Sequence, residues 1–231
     1  MKRIGIIGGI GPESTIAYYR LLIQQFRTKL STSAYPEIVI HSINMTEMLE
    51  YVFSNQLDKL VLFLQQRIQV LEASNVDYVA LASNTPHLVF DKLAPTVNVE
   101  LISIVEETCK YIAASGLRKL GLLGTKSTMS KGFYQKCGST YGIDIITPNE
   151  NAQDYVHEKY MGELVFNQII PKTKTHLIQI ITELKEQHQI EGIILGGTEL
   201  PLILQQDDFD TIKVFDTTLI HVNAILNKMI S

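Results

Sequence analysis

Runs of strand length, almost wholly apolar, alternate along the chain with longer segments of helical period. The apolar runs are Arg3–Gly8, Ile38–Ile43, Tyr78–Ala82, Lys119–Gly124, Ile143–Ile146, Gly192–Leu195 and Val214–Phe215. Their near-continuous Ile, Val and Leu content predicts strands buried on both faces, as in a parallel sheet. Between them the pattern predicts helices over Pro12–Lys29, Gln56–Ala73, Ile104–Ala114, Thr128–Ser139, Asp154–Ile170 and Lys172–His188. In Gln56–Ala73, the residues Leu57, Leu60, Val61, Leu64, Ile68 and Leu71 recur at spacings of three and four. They make one apolar stripe for packing on a sheet. Such alternation predicts an α/β fold with right-handed crossovers.

The pattern also repeats. RIGIIGG near the start is matched by RKLGLLGT at Arg118–Thr125, and VALASNTPH by GIILGGTELP. Each is an apolar strand that ends in small residues and runs toward a helix start. The expectation is two similar Rossmann-like lobes with parallel sheets, residues 1–115 and 116–231, divided near Ser115–Leu117. The last helix is free to pack back on the first lobe. Strand ends and helix termini facing across the division would form a ligand cleft.

Composition adds exclusions. The 231 residues carry a formal net charge of −4, which gives no electrostatic reason to expect nucleic acid. Hydrophobic residues make up 45% and charged residues 19%, which suits a folded protein with apolar surface to spare for a subunit contact. Cys109 and Cys137 are the two cysteines and are far apart in sequence, so neither a disulfide framework nor a zinc site is supported. Each reads as a structural thiol. The start MKRIGIIGGI lacks the h-region of a signal peptide, and no stretch approaches a membrane span. A soluble, cytoplasmic protein is the expectation.

Candidate chemistry sits where strands end. Gly8, Gly9 and Gly11 lie in GGIGP after the first strand, with Pro12 placed for helix position N1 and Ser14 and Thr15 nearby. The spacing fits neither the dinucleotide GxGxxG nor a P-loop, which leaves an anion-binding turn or a packing turn. Ser83, Asn84 and Thr85 follow the third run, with His87 close behind as a group that could titrate near neutrality. These side chains could hold a carboxylate, or Asn84 or Thr85 could merely cap a helix beginning at Pro86. Thr125, Lys126, Ser127 and Thr128 follow Gly124. Thr198 and Glu199 follow Gly196-Gly197, and Asp216, Thr217, Thr218 and His221 follow the last run. The recurrence of a hydroxyl-rich turn after a strand points to a small oxygen-rich anion such as an amino or keto acid.

At these turns the sequence resembles the aspartate/glutamate racemase family over nearly its whole length. The runs that carry the likeness are GIIGGIGPESTIAYY from Gly5, ASNTPHLVFDKL from Ala82, LLGTKSTM from Leu122, GGTELPLIL from Gly196 and VFDTTLIH from Val214. The resemblance implies two lobes related by a pseudo-twofold axis that enclose a small amino acid or dicarboxylate. It implies neither pyridoxal phosphate nor metal, no other cofactor, and a homodimer. It also implies two cysteines, one on each face of the substrate Cα, exchanging the α proton. Their places here are held by Ser83 and Gly197. A serine hydroxyl is a poor base unless activated, and glycine has no side chain to exchange a proton. The implied substrate-binding residues are Gly9, Ser14, Asn84, Thr85, Thr125, Thr128, Thr198, Glu199 and His221. The segment Tyr51–Gln56, YVFSNQ, reads as a loop with no positive charge where racemases of this kind often carry an arginine. The functional expectation is therefore a racemase-like protein with little or no two-cysteine racemization. The alternatives are a non-catalytic binder of a small amino or carboxylic acid, or altered chemistry through Ser83, His87 or Glu199.

Overall fold

The computed structural model describes residues 1–231. The elements in order are β1 (Ile4–Gly8), α1 (Pro12–Leu30), β2 (Ile38–Ser42), α2 (Met45–Phe53), α3 (Leu57–Glu72), β3 (Tyr78–Leu81), α4 (Phe90–Leu93), β4 (Glu100–Ile102) and α5 (Ile104–Ala114). There follow β5 (Lys119–Gly124), α6 (Lys126–Ser130), α7 (Phe133–Thr140), β6 (Asp144–Ile146), α8 (Glu150–Gly162), α9 (Pro171–His188), β7 (Gly192–Gly196), β8 (Lys213–Asp216) and α10 (Thr217–Ile230). The α/β class holds, with two four-stranded parallel sheets ordered β2-β1-β3-β4 and β6-β5-β7-β8. No helix is long and apolar enough to cross a membrane.

The chain divides into two compact units. Unit 1 is Met1–Ile104 together with His221–Ser231, and unit 2 is Val105–Ile220. In unit 1 the central strand β1 is buried at every position, while the edge strand β2 is only half covered. That contrast is what parallel pairing with helices on both faces demands. One face of the sheet packs Ile7, Val79 and Leu81 against Met48 and Val52 of α2 and Leu60, Leu64, Ile68 and Leu71 of α3. The other packs Ile4, Ile6, Ala80 and Ile102 against Tyr18, Leu22 and Phe26 of α1 and Val222, Ile225, Leu226 and Met229 of α10. The alternation of Ile6 and Ile7 between the two clusters is the strand period of two made visible.

Several elements depart from the sequence pattern. The helix expected over Thr128–Ser139 is two helices, because Gly132 sits at φ 74°, the left-handed region that interrupts a right-handed helix. The helix expected to begin at Asp154 starts at Glu150, where the Asn149 side chain accepts from Ala152 N–H, and it ends at Gly162 rather than Ile170. Tyr51–Phe53 belong to α2, not to a loop, and Tyr51 packs on Phe63 at 5.7 Å between ring centres. Residues Thr85–Val89 form a 3₁₀ turn that Asn84 does not cap through its side chain.

Candidate functional site

Every hydroxyl-rich turn lies at the carboxyl end of a strand, where parallel α/β sheets present backbone N–H groups and helix starts. In unit 1, β1 and β3 are paired neighbours, with Ile7 beside Leu81. Their ends bring Gly9, Ser14, Ser83, Asn84 and Thr85 together. Gly9 takes φ 81°, and a Cβ there would come within 2.4 Å of Ile43 O, so both conformation and space require glycine. Its N–H donates to Thr15 Oγ1 at 2.8 Å. Ser14 is buried and its Oγ donates to Ala82 O at 2.7 Å, which ties the start of α1 to the end of β3. The amino end of α1 has Gly11 at the cap, with no side-chain cap bond, and Pro12 at the first turn. Its dipole and first N–H groups favour an anion.

Unit 2 repeats the arrangement. The β5–β7 pairing runs to Gly124 and Gly196, so Gly197 directly follows β7, while Ser83 stands two residues past Leu81, the last of β3. Thr125 caps α6, accepting from Thr128 N–H at 3.3 Å, and the two threonine hydroxyls lie 3.1 Å apart. Thr198 is buried beside Glu199 and donates to its Oε2 at 2.8 Å. The same Oε2 accepts from the hydroxyl of Tyr160 on α8. Glu199 thus stands at the head of a 3₁₀ turn, Leu200–Leu202, and Thr198 does not cap a helix.

Three groups singled out from the sequence do other work. His221 is fully buried. Its Nε2 lies 2.9 Å from Ile102 O and its Nδ1 2.7 Å from the Tyr18 hydroxyl. Nε2–H therefore donates to the carbonyl and Nδ1 accepts from the phenol, so neither nitrogen is left for a substrate. Burial depresses its pKa to about 4. His87 does not titrate near neutrality either. Burial first, and the neighbouring His221 next, push it down to about 3. Its Nε2 accepts from Ile104 N–H at 3.3 Å and its Nδ1–H donates to Ser83 O at 3.0 Å. It is a neutral brace for the turn that carries Ser83, not a base. Lys126 pairs with Asp154 and Glu150 on α8 and its start, so the unit 2 turn has its one cation committed outward.

Asp216 ends β8 and caps α10, its Oδ1 accepting from Thr218 and Leu219 N–H at 2.8 and 3.0 Å. That helix start already holds its own carboxylate, which burial nonetheless makes easier to protonate than usual. The thiols of Cys109 and Cys137 meet. Hydrogen bonding to Cys137, then burial, raises the Cys109 pKa far above the ordinary thiol range. Neither forms a disulfide, and neither lies at a strand end.

Sequence reasoning missed Tyr160. A Cβ built on Gly197 would lie 2.4 Å from Tyr160 Cε2 and 3.0 Å from Cζ. The ring occupies the room that a side chain at position 197 would need. The signal available in sequence was indirect: a glycine where a side chain is expected leaves a volume that a close-packed interior fills from elsewhere.

Comparison with known proteins agrees with this layout. Residues 7–225 match the family model described as Asp/Glu/Hydantoin racemase. The broad specificity amino-acid racemase RacX of Bacillus subtilis is 28% identical over 212 residues, 87% of each chain. The crystal structure of an aspartate racemase homologue from Pyrococcus horikoshii is 37% identical over the whole of both chains, with a TM-score of 0.86. The aspartate racemase of Picrophilus torridus shares the fold at a TM-score of 0.80 and 23% identity, over 99% of this chain and 94% of that one. Strand-end turns, sheet order and these likenesses converge, and the chain belongs to the Asp/Glu/hydantoin racemase family.

Proposed function

We propose that this protein binds a small amino acid, or a related carboxylic acid, at its strand-end turns and does not racemize it by the two-thiol route. The observation that carries the reading is the pair of residues just beyond the ends of β3 and β7, Ser83 in unit 1 and Gly197 in unit 2. On this reading, the family's two proton-exchanging thiols would stand at these positions. A racemase must take a proton from one face of Cα and return one to the other. Ser83 is a weak base at neutral pH, His87 is held neutral with both nitrogens bonded to backbone, and Gly197 offers no side chain. What remains is recognition. In unit 1 the start of α1, with the Ser83-Asn84-Thr85 turn, supplies N–H groups and hydroxyls suited to carboxylate oxygens without a basic surface.

The same reading takes the protein as a cytoplasmic homodimer that needs no cofactor. The low charged fraction of 19% supports the dimer, and light scattering at micromolar concentration tests it. The functional test is calorimetric titration with amino, keto and dicarboxylic acids, alongside α-proton exchange in deuterated buffer with both enantiomers of aspartate and glutamate. Binding of at least one acid at or below millimolar concentration, without interconversion, is expected. Rapid interconversion of both enantiomers would end the reading.

A further inference from the structure

The carboxyl half of α1 carries a charged groove that the strand-end turns do not use. Arg20 and Arg27 are seven residues apart, two turns along one face of the helix and about 10 Å of rise. Both are exposed, and both line a groove of about 760 Å³. No carboxylate lines it, and neither arginine forms an ion pair. The Arg27 guanidinium instead lies 5.7 Å from the centre of the Tyr35 ring, a contact that steadies it and leaves its N–H donors open.

The chain beyond the helix adds hydroxyls. Ser31 takes φ 47°, and the N–H groups of Ser31 and Thr32 both donate to Arg27 O. This reversal brings Ser31, Thr32 and Ser33 to the groove wall. Thr32 Oγ1 accepts from Ala34 N–H at 3.1 Å, so its own proton stays available. The carboxyl end of the helix dipole, about half a negative charge, works against an anion here. Two full positive charges outweigh it. Tyr19 adds a half-exposed ring to the same wall. Guanidinium forks match phosphate oxygens, and an exposed aromatic face accepts a stacked base of any kind. A lone carboxylate would occupy one arginine, whereas linked phosphates carry enough oxygens and charge for both.

We propose that this groove binds a nucleoside diphosphate or triphosphate, with the phosphates held between Arg20 and Arg27 and the base laid on Tyr19. The site is at the far end of α1 from Gly11 and does not depend on what the strand-end turns bind.

Calorimetric titration at low ionic strength with ADP, pyrophosphate and adenosine tests it. ADP is expected to bind with a Kd of about 1 mM or tighter, and about fivefold or more tighter than either part alone. Arg20→Gln and Arg27→Gln, which keep helix propensity, each weaken ADP about tenfold or more. Tyr19→Leu brings ADP down to the pyrophosphate level and leaves pyrophosphate unchanged. Lys59→Gln removes the same charge from α3, which packs on the opposite face of the sheet, and is expected to change nothing. All four substituted side chains are exposed, and circular dichroism checks that each variant is folded. The proposal is overturned if ADP does not bind at millimolar concentration, or if Lys59→Gln costs as much as the arginine variants, which would mark diffuse charge and no site. Pyrophosphate as tight as ADP overturns the role of Tyr19, and adenosine as tight as ADP overturns that of the arginines.

Discussion

The ends of β3 and β7 are built to one plan and finished differently. At the end of β3 the backbone is braced by side chains, with Ser14 on the carbonyl of Ala82 and His87 on that of Ser83. At the end of β7, Thr217 holds the carbonyl of Leu195, but the space beside Gly197 has been entered by Tyr160. At the first end the backbone carries a small side chain, Ser83. At the second, the Tyr160 ring on α8 stands where a side chain on residue 197 would be. A position with a small side chain accepts an isosteric substitution, whereas one whose space is filled by a neighbour does not.

The sharpest way to break this comparison is to restore thiols. Ser83→Cys combined with Gly197→Cys is expected to leave aspartate racemization undetectable while Tyr160 remains. Adding Tyr160→Ala should raise the rate by at least about 100-fold, the scale of a positioned acid–base group. Interconversion followed by chiral chromatography decides it. If the two-residue variant is already as fast as the three-residue one, the ring is no obstacle.

Acid should separate the units next. His87 and His221, both in unit 1, have folded pKa values of about 3 and about 4, below the 6.5 of an exposed histidine. The unfolded chain therefore takes up protons first. Stability from these groups is complete above about pH 6.5 and falls as pH drops toward the folded values. Each contributes about 1.4 kcal/mol per pH unit in that window, or roughly 3 kcal/mol for the pair between pH 7.5 and 5.5. Asp216 in unit 2, a carboxyl shifted upward, works in the opposite sense. Amide hydrogen exchange at the two pH values, corrected for intrinsic rates, should show protection lost mainly in unit 1. Equal loss in both units would contradict the assignment.

Single substitutions give a smaller contrast. Gly197→Cys should cost about 1–3 kcal/mol by overpacking against Tyr160, whereas Ser83→Cys should cost less than about 1 kcal/mol. Denaturant unfolding of the two variants side by side measures the difference, and similar costs would mean the Gly197 space is not closed. The smallest expected effect is at the turns themselves. Thr125→Ala removes the cap of α6 and should cost about 1 kcal/mol. A neutral outcome would show that Thr128 N–H finds another acceptor.

The central strands were legible because burial on both faces leaves unbroken apolar runs, and α3 because one buried face leaves a stripe. The edge strand β4, three residues beginning with exposed Glu100, carries no such run and was not seen. α2 went unread because its two buried residues, Met48 and Val52, are too few to establish a period. α10 was not delimited, since its Thr217, Thr218 and His221 read as polar strand-end residues while their burial is a property of the fold. The same limit applies to the site. Position along the chain placed Ser83, Asn84, Thr198 and Glu199 at strand ends. It could not tell that His221 spends both nitrogens on Tyr18 and Ile102, or that a tyrosine distant in sequence from Gly197 would fill the space beside it.

The composition of unit 1 has a consequence for the order in which the molecule is made. Its second sheet face is covered by α1 and by Val222, Ile225, Leu226 and Met229, the last of which are separated from the rest of the unit by the whole of Val105–Ile220. On the ribosome, Ile4, Ile6, Ala80 and Ile102 emerge early and wait, on the order of ten seconds at ordinary elongation rates, for the residues that cover them. Tyr18 and the Ile102 carbonyl wait for His221 over the same interval. Unit 2, begun later, has all its residues first. The half synthesised first is therefore the half completed last, and in a nascent chain it is the β1–β3–β4 face that lies open to chaperones or to misassociation.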